Sequence, residues 1–240
     1  RIVLSGSMHY DNFSGRNMTG SAFIQTQRLP FDIVEDSLNN AGTKHRDTYN
    51  LMGALSWELY KGIALGAKVD FTAANAAKYK DLRYKTKLMN LALTTGVYVP
   101  LRSVSLGLNY TYRRNTESVV FSTYASNAQE FSSYINYGPW IGKTEQFSSS
   151  GFTDSNREQP MLNEYHGLGL QFSWDILPNL SWFNNFGGTY RKGYYGRKSP
   201  YTIVHSDHHS NIYDYQSRLS LKLDKQVHHL DFSFSSENLV

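Results

Sequence analysis

The 240-residue chain contains no cysteine, which excludes disulfides and thiolate metal sites. Charge is sparse: Asp, Glu, Lys and Arg together make up 18% of residues, below the roughly 25% usual in soluble domains. The net charge of +4 comes without any Lys/Arg cluster, so no nucleic-acid partner is expected. No apolar run approaches the roughly 18 residues of a transmembrane helix. That excludes a helical membrane protein but not a barrel, whose alternating strands give only weak hydropathy. Catalytic signatures are missing too. There is no G-x-S-x-G, H-E-x-x-H, P-loop or helix-opening G-x-G-x-x-G. No particular Ser can be matched with a particular His, so no catalytic residue and no cofactor is expected.

What the chain does have is aromatic and glycine content: 18 Tyr, 13 Phe, 4 Trp and 18 Gly. Ser, Thr, Asn and Gln take the place of charges, which explains a mean hydropathy of −0.49. This composition suits a β-protein with large wetted surfaces. In WELYKGIALGAKVDF (Trp57 to Phe71), two alternating runs are joined by Tyr60-Lys61-Gly62, a β-hairpin signal. The same period-2 alternation marks about ten strands along the chain. They lie near Ile2–Phe13, Met18–Arg28, Thr48–Tyr60, Ile63–Tyr79, Lys85–Val99, Val104–Thr116, Glu164–Asp175, Leu180–Tyr190, Tyr213–Lys225 and Val227–Glu237. Short joins at Tyr60-Lys61-Gly62, PLRS, ILPN and Lys225-Gln226 alternate with longer polar segments at Leu29–Asp47, Lys80–Tyr84, Val119–Asn163 and Arg191–Ile212. A meander of this kind has tight turns on one rim and loops on the other, the asymmetry of outer-membrane barrels.

The two faces of the strands differ. One carries Leu55, Leu65, Val69, Leu91, Leu93, Leu106, Leu108, Leu168 and Leu170, with Trp57, Tyr60, Tyr98, Tyr110, Tyr112 and Trp174 towards strand ends. Aromatic residues gather there at membrane interfaces. The other mixes Gly and Ser with both signs of charge. It offers Glu58, Lys68, Asp70, Arg113, Arg218, Lys222 and Asp224 as lumen-facing candidates, which would either tune passage or pair across strands. The fold expected is all-β: an antiparallel up-and-down transmembrane β-barrel, one domain over residues 1–240. Both ends read as cut, since RIVLSGSMHY and LDFSFSSENLV are strand-like, so this would be part of a larger barrel. The competing folds are a soluble β-sandwich, which also has one apolar face, and the outside of a solenoid.

Three further stretches carry candidate chemistry. HSDHHS brings His205, Asp207, His208 and His209 together; imidazoles and a carboxylate can ligate Zn, Cu or Ni. In YINYGPWIGKTEQFSSSGF, the rings of Tyr134, Tyr137 and Trp140 offer platforms for a sugar or peptide, or for a loop that folds over the mouth. Arg113 and Arg114 end a strand and suit lipopolysaccharide phosphates, or a solvated rim.

SGSMHYDNFSGRN, YNLMGALSWELYKGIALGAKVDF, KTKLMNLALTTGVYV with VSLGLNYTYRRNTESVVF, and NEYHGLGLQF resemble outer-membrane β-barrel proteins of Bacteroidota, of an uncharacterised family encoded near TonB-dependent receptors. The resemblance implies a bacterial outer-membrane location and a barrel of roughly 14 or more strands. It supplies no catalytic residues. The expected function is solute uptake, or an accessory role in an outer-membrane uptake complex. Expected partners are outer-membrane lipid and lipopolysaccharide, with a TonB-dependent receptor or another envelope protein as candidate. A structural or partner-binding barrel with a filled lumen is the alternative, and a barrel hydrolase the second.

Overall fold

The computed structural model describes residues 1–25, 32–35, 41–81, 83–122, 131–138, 141–147, 159–197 and 203–240. Every regular element among them is a strand: β1 (Ile2–Met18), β2 (Asp32–Glu35), β3 (Gly42–Tyr60), β4 (Ile63–Tyr79), β5 (Arg83–Leu101), β6 (Val104–Ser122), β7 (Phe131–Gly138), β8 (Ile141–Phe147), β9 (Gln159–Leu177), β10 (Leu180–Arg197), β11 (Ile203–Lys222) and β12 (Val227–Leu239). Nine of these form one sheet, ordered β1-β3-β4-β5-β6-β9-β10-β11-β12. All its pairings are antiparallel, so it is an up-and-down meander. The remaining three form a small sheet, β2-β7-β8. Barrel closure is not found: among the described residues β1 pairs only with β3, and β12 only with β11.

The tight rim follows from local chemistry. Between β3 and β4, Lys61 and Gly62 both take positive φ, at 50° and 83°. Two such residues in a row make the turn whose twist matches the flanking strands. Most wall strands reach 17 to 20 residues, against the roughly 9–11 a tilted strand needs to cross a bilayer. These strands are therefore longer than a bilayer crossing alone would require.

Register fixes the faces, because paired residues share a side. One row runs Ile2, Trp57, Leu65, Val97, Leu108, Leu170, Phe186, Tyr215, Phe234. It is apolar across all nine strands. Leu168, one row over, is 62% exposed, and Phe232 is 59% exposed. Two polar side chains on this outward face, Asn184 and Ser217, each accept a hydrogen bond from an aromatic: Tyr215 Oη to Asn184 Oδ1 at 2.8 Å, and Trp182 Nε1 to Ser217 Oγ at 2.8 Å. The opposite, inner face carries small and polar residues, as in the row Val3, Ser56, Gly66, Gly96, Asn109, Gly169, Gly187, Asp214, Ser235.

Three expectations change. Met18–Arg28 is not a wall strand. β1 ends at Met18 with a register shift, and residues 19–25 leave the sheet and cross its inner face. The segments expected as loops hold ordered strand: β2 within Leu29–Asp47, β7 and β8 within Val119–Asn163, and long extensions of β10 and β11 within Arg191–Ile212. The apolar face, which a sandwich would bury, meets no second sheet among the described residues. The buried core lies elsewhere, at the loop end of the inner face, where Ala22, Phe23, Ile33, Tyr84, Val119, Phe121, Met161 and Tyr195 cluster.

Candidate functional site

The inner face of the wall divides into a covered loop-side half and an open turn-side half. The cover is residues 19–25 together with the β2-β7-β8 sheet. Ser21 bridges Val34, and the Ala22 N–H donates to the Ile33 carbonyl at 2.8 Å, which joins the two pieces. Phe23 lies edge-on to Tyr195 with ring centres 6.4 Å apart.

Wall side chains hold this cover by its backbone. Thr86 Oγ1 donates to the Ala22 carbonyl at 2.7 Å, and Tyr84 Oη to the Ser21 carbonyl at 3.2 Å. Lys44 Nζ donates to the carbonyls of Thr19 at 2.9 Å and Ser21 at 3.3 Å. Asn115 Nδ2 donates to Gln25 Oε1 at 3.2 Å. The Glu117 carboxylate accepts the backbone N–H groups of Ile24 and Gln25. Glu117 lies beyond Tyr112, the last outward aromatic of its strand, so it sits above the apolar band. Burial pushes its carboxyl up to about 7, against the two N–H donors that favour the anion, and nearby Asp32 adds to the rise. Asp32, on β2, is itself raised by burial, opposed by the Ser21 hydroxyl that bonds it.

Deeper on the same half, His208 Nε2 lies 2.7 Å from Asn163 Oδ1, and both residues are buried. Burial first, then the Arg191 guanidinium, push the imidazole down to about 4, so it is neutral. His208 Nδ1 and Asn163 Nδ2 have no hydrogen-bond partner among the described residues. The pair lies over Gly193, whose lack of a Cβ makes the room. Arg191 Nη2 bonds Glu237 Oε1 at 2.8 Å, and the Ser210 hydroxyl donates to the same oxygen at 2.7 Å, which ties β10 and β11 to β12.

The turn-side half holds a cavity of about 350 Å³, bordered by Ser56, Gly96, Tyr98, Gly107, Asn109 and Gln171 among others, with no charged residue in its lining. Tyr98 therefore lies on the inner face, not with the outward aromatics where it was expected, because the pleat places it with Gly96 and opposite to Val97.

Six of the seven lumen candidates share the inner face by register: Glu58, Lys68, Asp70, Arg113, Arg218 and Lys222. Several pair off. Lys68 meets Asp70 at 2.9 Å. Arg218 grips Asp231 through two nitrogens, at 2.5 and 3.3 Å. Arg113 Nε donates to Asn90 Oδ1 at 2.6 Å, and its guanidinium stands 4.9 Å from the centre of the Tyr165 ring. Asp224 is the exception. β11 ends at Lys222, and a turn closed by the Leu223 N–H to the Gln226 carbonyl carries Asp224 at the rim instead.

The histidine-rich stretch is strand, not loop, and the pleat separates its members. Asp207 and His209 point outward, while His208 points inward and is buried. The side chain of His205 lies outside the described residues, and among those described no three His, Asp or Glu residues converge as a metal site. Tyr134 sits half-buried on β7. The Tyr137 side chain and Trp140 lie outside the described residues.

One Ser–His contact exists at the turn end: Ser220 Oγ and His229 Nδ1 lie 2.9 Å apart, exposed. The two are direct cross-strand neighbours, which accounts for the distance. Asp231, the nearby carboxylate, is held by Arg218. Among the described residues no group orients His229 as a base, so the contact reads as strand pairing.

Sequence reasoning missed Glu117, Asn115 and Thr86 as anchors. The available signal was a carboxylate and an amide alternating on the inward side of β6 at its loop end, facing a loop rich in apolar residues. No curated protein and no solved structure matches the chain. Residues 2–239 match a family of unknown function, DUF6850, and the chain belongs to that family.

Proposed function

We propose that the chain forms wall strands of a bacterial outer-membrane β-barrel that serves solute uptake, as the path itself or as an accessory subunit of an uptake complex. The observation that carries this reading is the outward apolar row, nine strands wide, exposed and covered by nothing else among the described residues. In water such a surface would be far larger than the few hundred Å² of apolar patch usual on a soluble monomer. In lipid it is what a barrel presents. The Trp182 side chain that ties off Ser217 fits the same environment, since an unpaired polar group is costly there.

The inner face supplies a wet, nearly neutral path at its turn end. At its loop end the cover of residues 19–25 and the small sheet narrows or closes that path. A structural barrel with a filled lumen is the second reading, favoured by this cover and by the mutual pairing of the inward charges. Lipid and lipopolysaccharide would surround the wall, with a TonB-dependent receptor or other envelope protein as candidate neighbour. No catalytic role is proposed.

The test is single-channel recording of the full-length protein in a planar bilayer, after flotation with liposomes has established insertion. Stable open steps support the uptake path. Insertion without conductance supports the filled barrel. A protein that remains in solution without detergent and does not float removes both readings.

A further inference from the structure

The two edge strands of the sheet run in the same direction. Ile2 of β1 faces Trp57, next to the Lys61-Gly62 turn, and Gly15 faces Lys44 at the loop end. Val227 of β12 faces Lys222 at the turn end, and Leu239 faces Ser210 at the loop end. Both edges therefore start at the turn rim and rise to the loop rim, because a meander of nine strands is odd in number. Among the described residues each edge leaves a row of unpaired N–H and C=O groups, and lipid tolerates no such row.

We infer that the wall is closed by an odd number of further antiparallel strands of the same polypeptide, which brings the barrel to an even count. The inference rests on the membrane-barrel reading and adds to it what completes the wall. Three closures compete. Direct pairing of β1 with β12 makes a parallel seam. A ring of copies inserted the same way round does no better: every copy offers the same two rising edges, so every seam between copies is parallel. Rings of identical chains need an even number of strands from each chain to join antiparallel, and the described residues supply nine. An odd set of added strands gives an antiparallel ladder at both seams. That continues the pattern of every pairing in the sheet. Parallel pairing is somewhat weaker per residue, and single-chain bacterial barrels have even strand numbers.

The chemistry of the added strands follows from the edges. The neighbour of β12 falls, places apolar side chains outward beside Phe232 and Phe234, and places small or polar ones inward beside Ser233 and Ser235. The neighbour of β1 also falls, with apolar residues beside Ile2 and Leu4 and polar ones beside Ser5 and Ser7.

Residues 1–240 contain no cysteine, so engineered disulfides can report the seam. In the full-length protein, in a cysteine-free background, one of Ser5→Cys or Ser7→Cys is combined with one of Ser233→Cys or Ser235→Cys. The protein is purified alone, reconstituted and floated with liposomes, then oxidised, and hydrogen exchange is read along β1 and β12. Failure to float removes the membrane reading itself. Among floated samples, the expected result is no disulfide in any pair, with the edge amides of β1 and β12 protected as fully as those of central β5. An intramolecular disulfide means direct parallel closure, and a disulfide-linked dimer means closure by a second copy; either overturns the inference. Edges that exchange freely, or that gain protection only when a different polypeptide is added, overturn it as well.

Discussion

Glu117, on β6, accepts the backbone N–H of Ile24 across a sequence separation of 93 residues. The bond joins a wall strand to the segment that covers the wall's inner face, and the neighbouring N–H of Gln25 reaches the other carboxylate oxygen at 3.4 Å. A side chain this buried has no water to replace these donors, so its removal leaves two amide groups without an acceptor.

Glu117→Ala is therefore expected to weaken docking of residues 19–25 by about 1–3 kcal/mol, the cost of stranding buried polar groups. Exchange of the Ile24 and Gln25 amides should accelerate roughly 5- to 150-fold, while amides in the middle of β5 stay unchanged. Glu117→Gln keeps an oxygen acceptor and should show a smaller effect. Equal exchange in the alanine variant and the wild type would mean that the cover is held by its apolar contacts alone.

The same carboxyl sets a pH dependence. Its value rises from 4.5 to about 7 when the cover is docked, so the docked state binds the proton more tightly. That contribution is fully present below pH 4.5 and is lost as pH rises through 7. Asp32 shifts in the same direction. Protease cleavage within residues 19–25 should be slower at pH 5 than at pH 8, and Glu117→Gln should flatten most of the difference. His208 works in the opposite sense. Its value falls from 6.5 to about 4, so the stability it contributes is present above pH 6.5 and is lost as pH drops towards 4. A cleavage rate that falls as pH rises from 5 to 8 would contradict the assignment to Glu117.

Leu93 and Thr94 are chain neighbours on opposite faces of β5, Leu93 outward and 40% exposed, Thr94 inward and bonded to Thr111 at 2.9 Å. In a bilayer, Leu93→Arg should cost about 2–4 kcal/mol, seen as lost insertion or a lowered denaturant midpoint in detergent. Thr94→Arg loses one hydroxyl bond, about 1 kcal/mol, and keeps its charge in the wet interior. If Thr94→Arg proves the more damaging of the two, the faces have been assigned the wrong way round.

Gly193→Ala is expected to destabilise the wall by about 1–3 kcal/mol, as overpacking does. An added Cβ would press on His208 Nε2 and the Leu162 carbonyl and come within 2.6 Å of Asn163 Oδ1. Gly188→Ala, on the same strand with nothing within 4 Å of the added carbon, is the control and should be neutral. Thermal melts of the two variants in one detergent would separate a packing effect from a general intolerance of alanine on β10.

Much of the wall was legible because strand alternation is a local signal. The Lys61-Gly62 turn, the short rim and the split between Leu65 and Lys68 all follow from residues within a few positions of one another. Met18–Arg28 shows where this fails. Its residues alternate as well as those of β1, but alternation does not say whether the partner is a neighbouring strand or the inside of the wall. The histidine-rich stretch failed for a related reason. Nearness in sequence was read as nearness in space, and a pleat sends successive side chains to opposite faces.

By itself the sequence determined the β class, the antiparallel meander and which side chains share a face, since each depends on period-2 patterning and on turn residues. Only the tertiary structure decided what covers the inner face, that Glu117 and His208 are buried, that Arg218 has its charge answered by Asp231 on the next strand, and that both sheet edges rise from the same rim. Burial and cross-strand pairing bring together residues of different strands, and no local pattern records which segments meet.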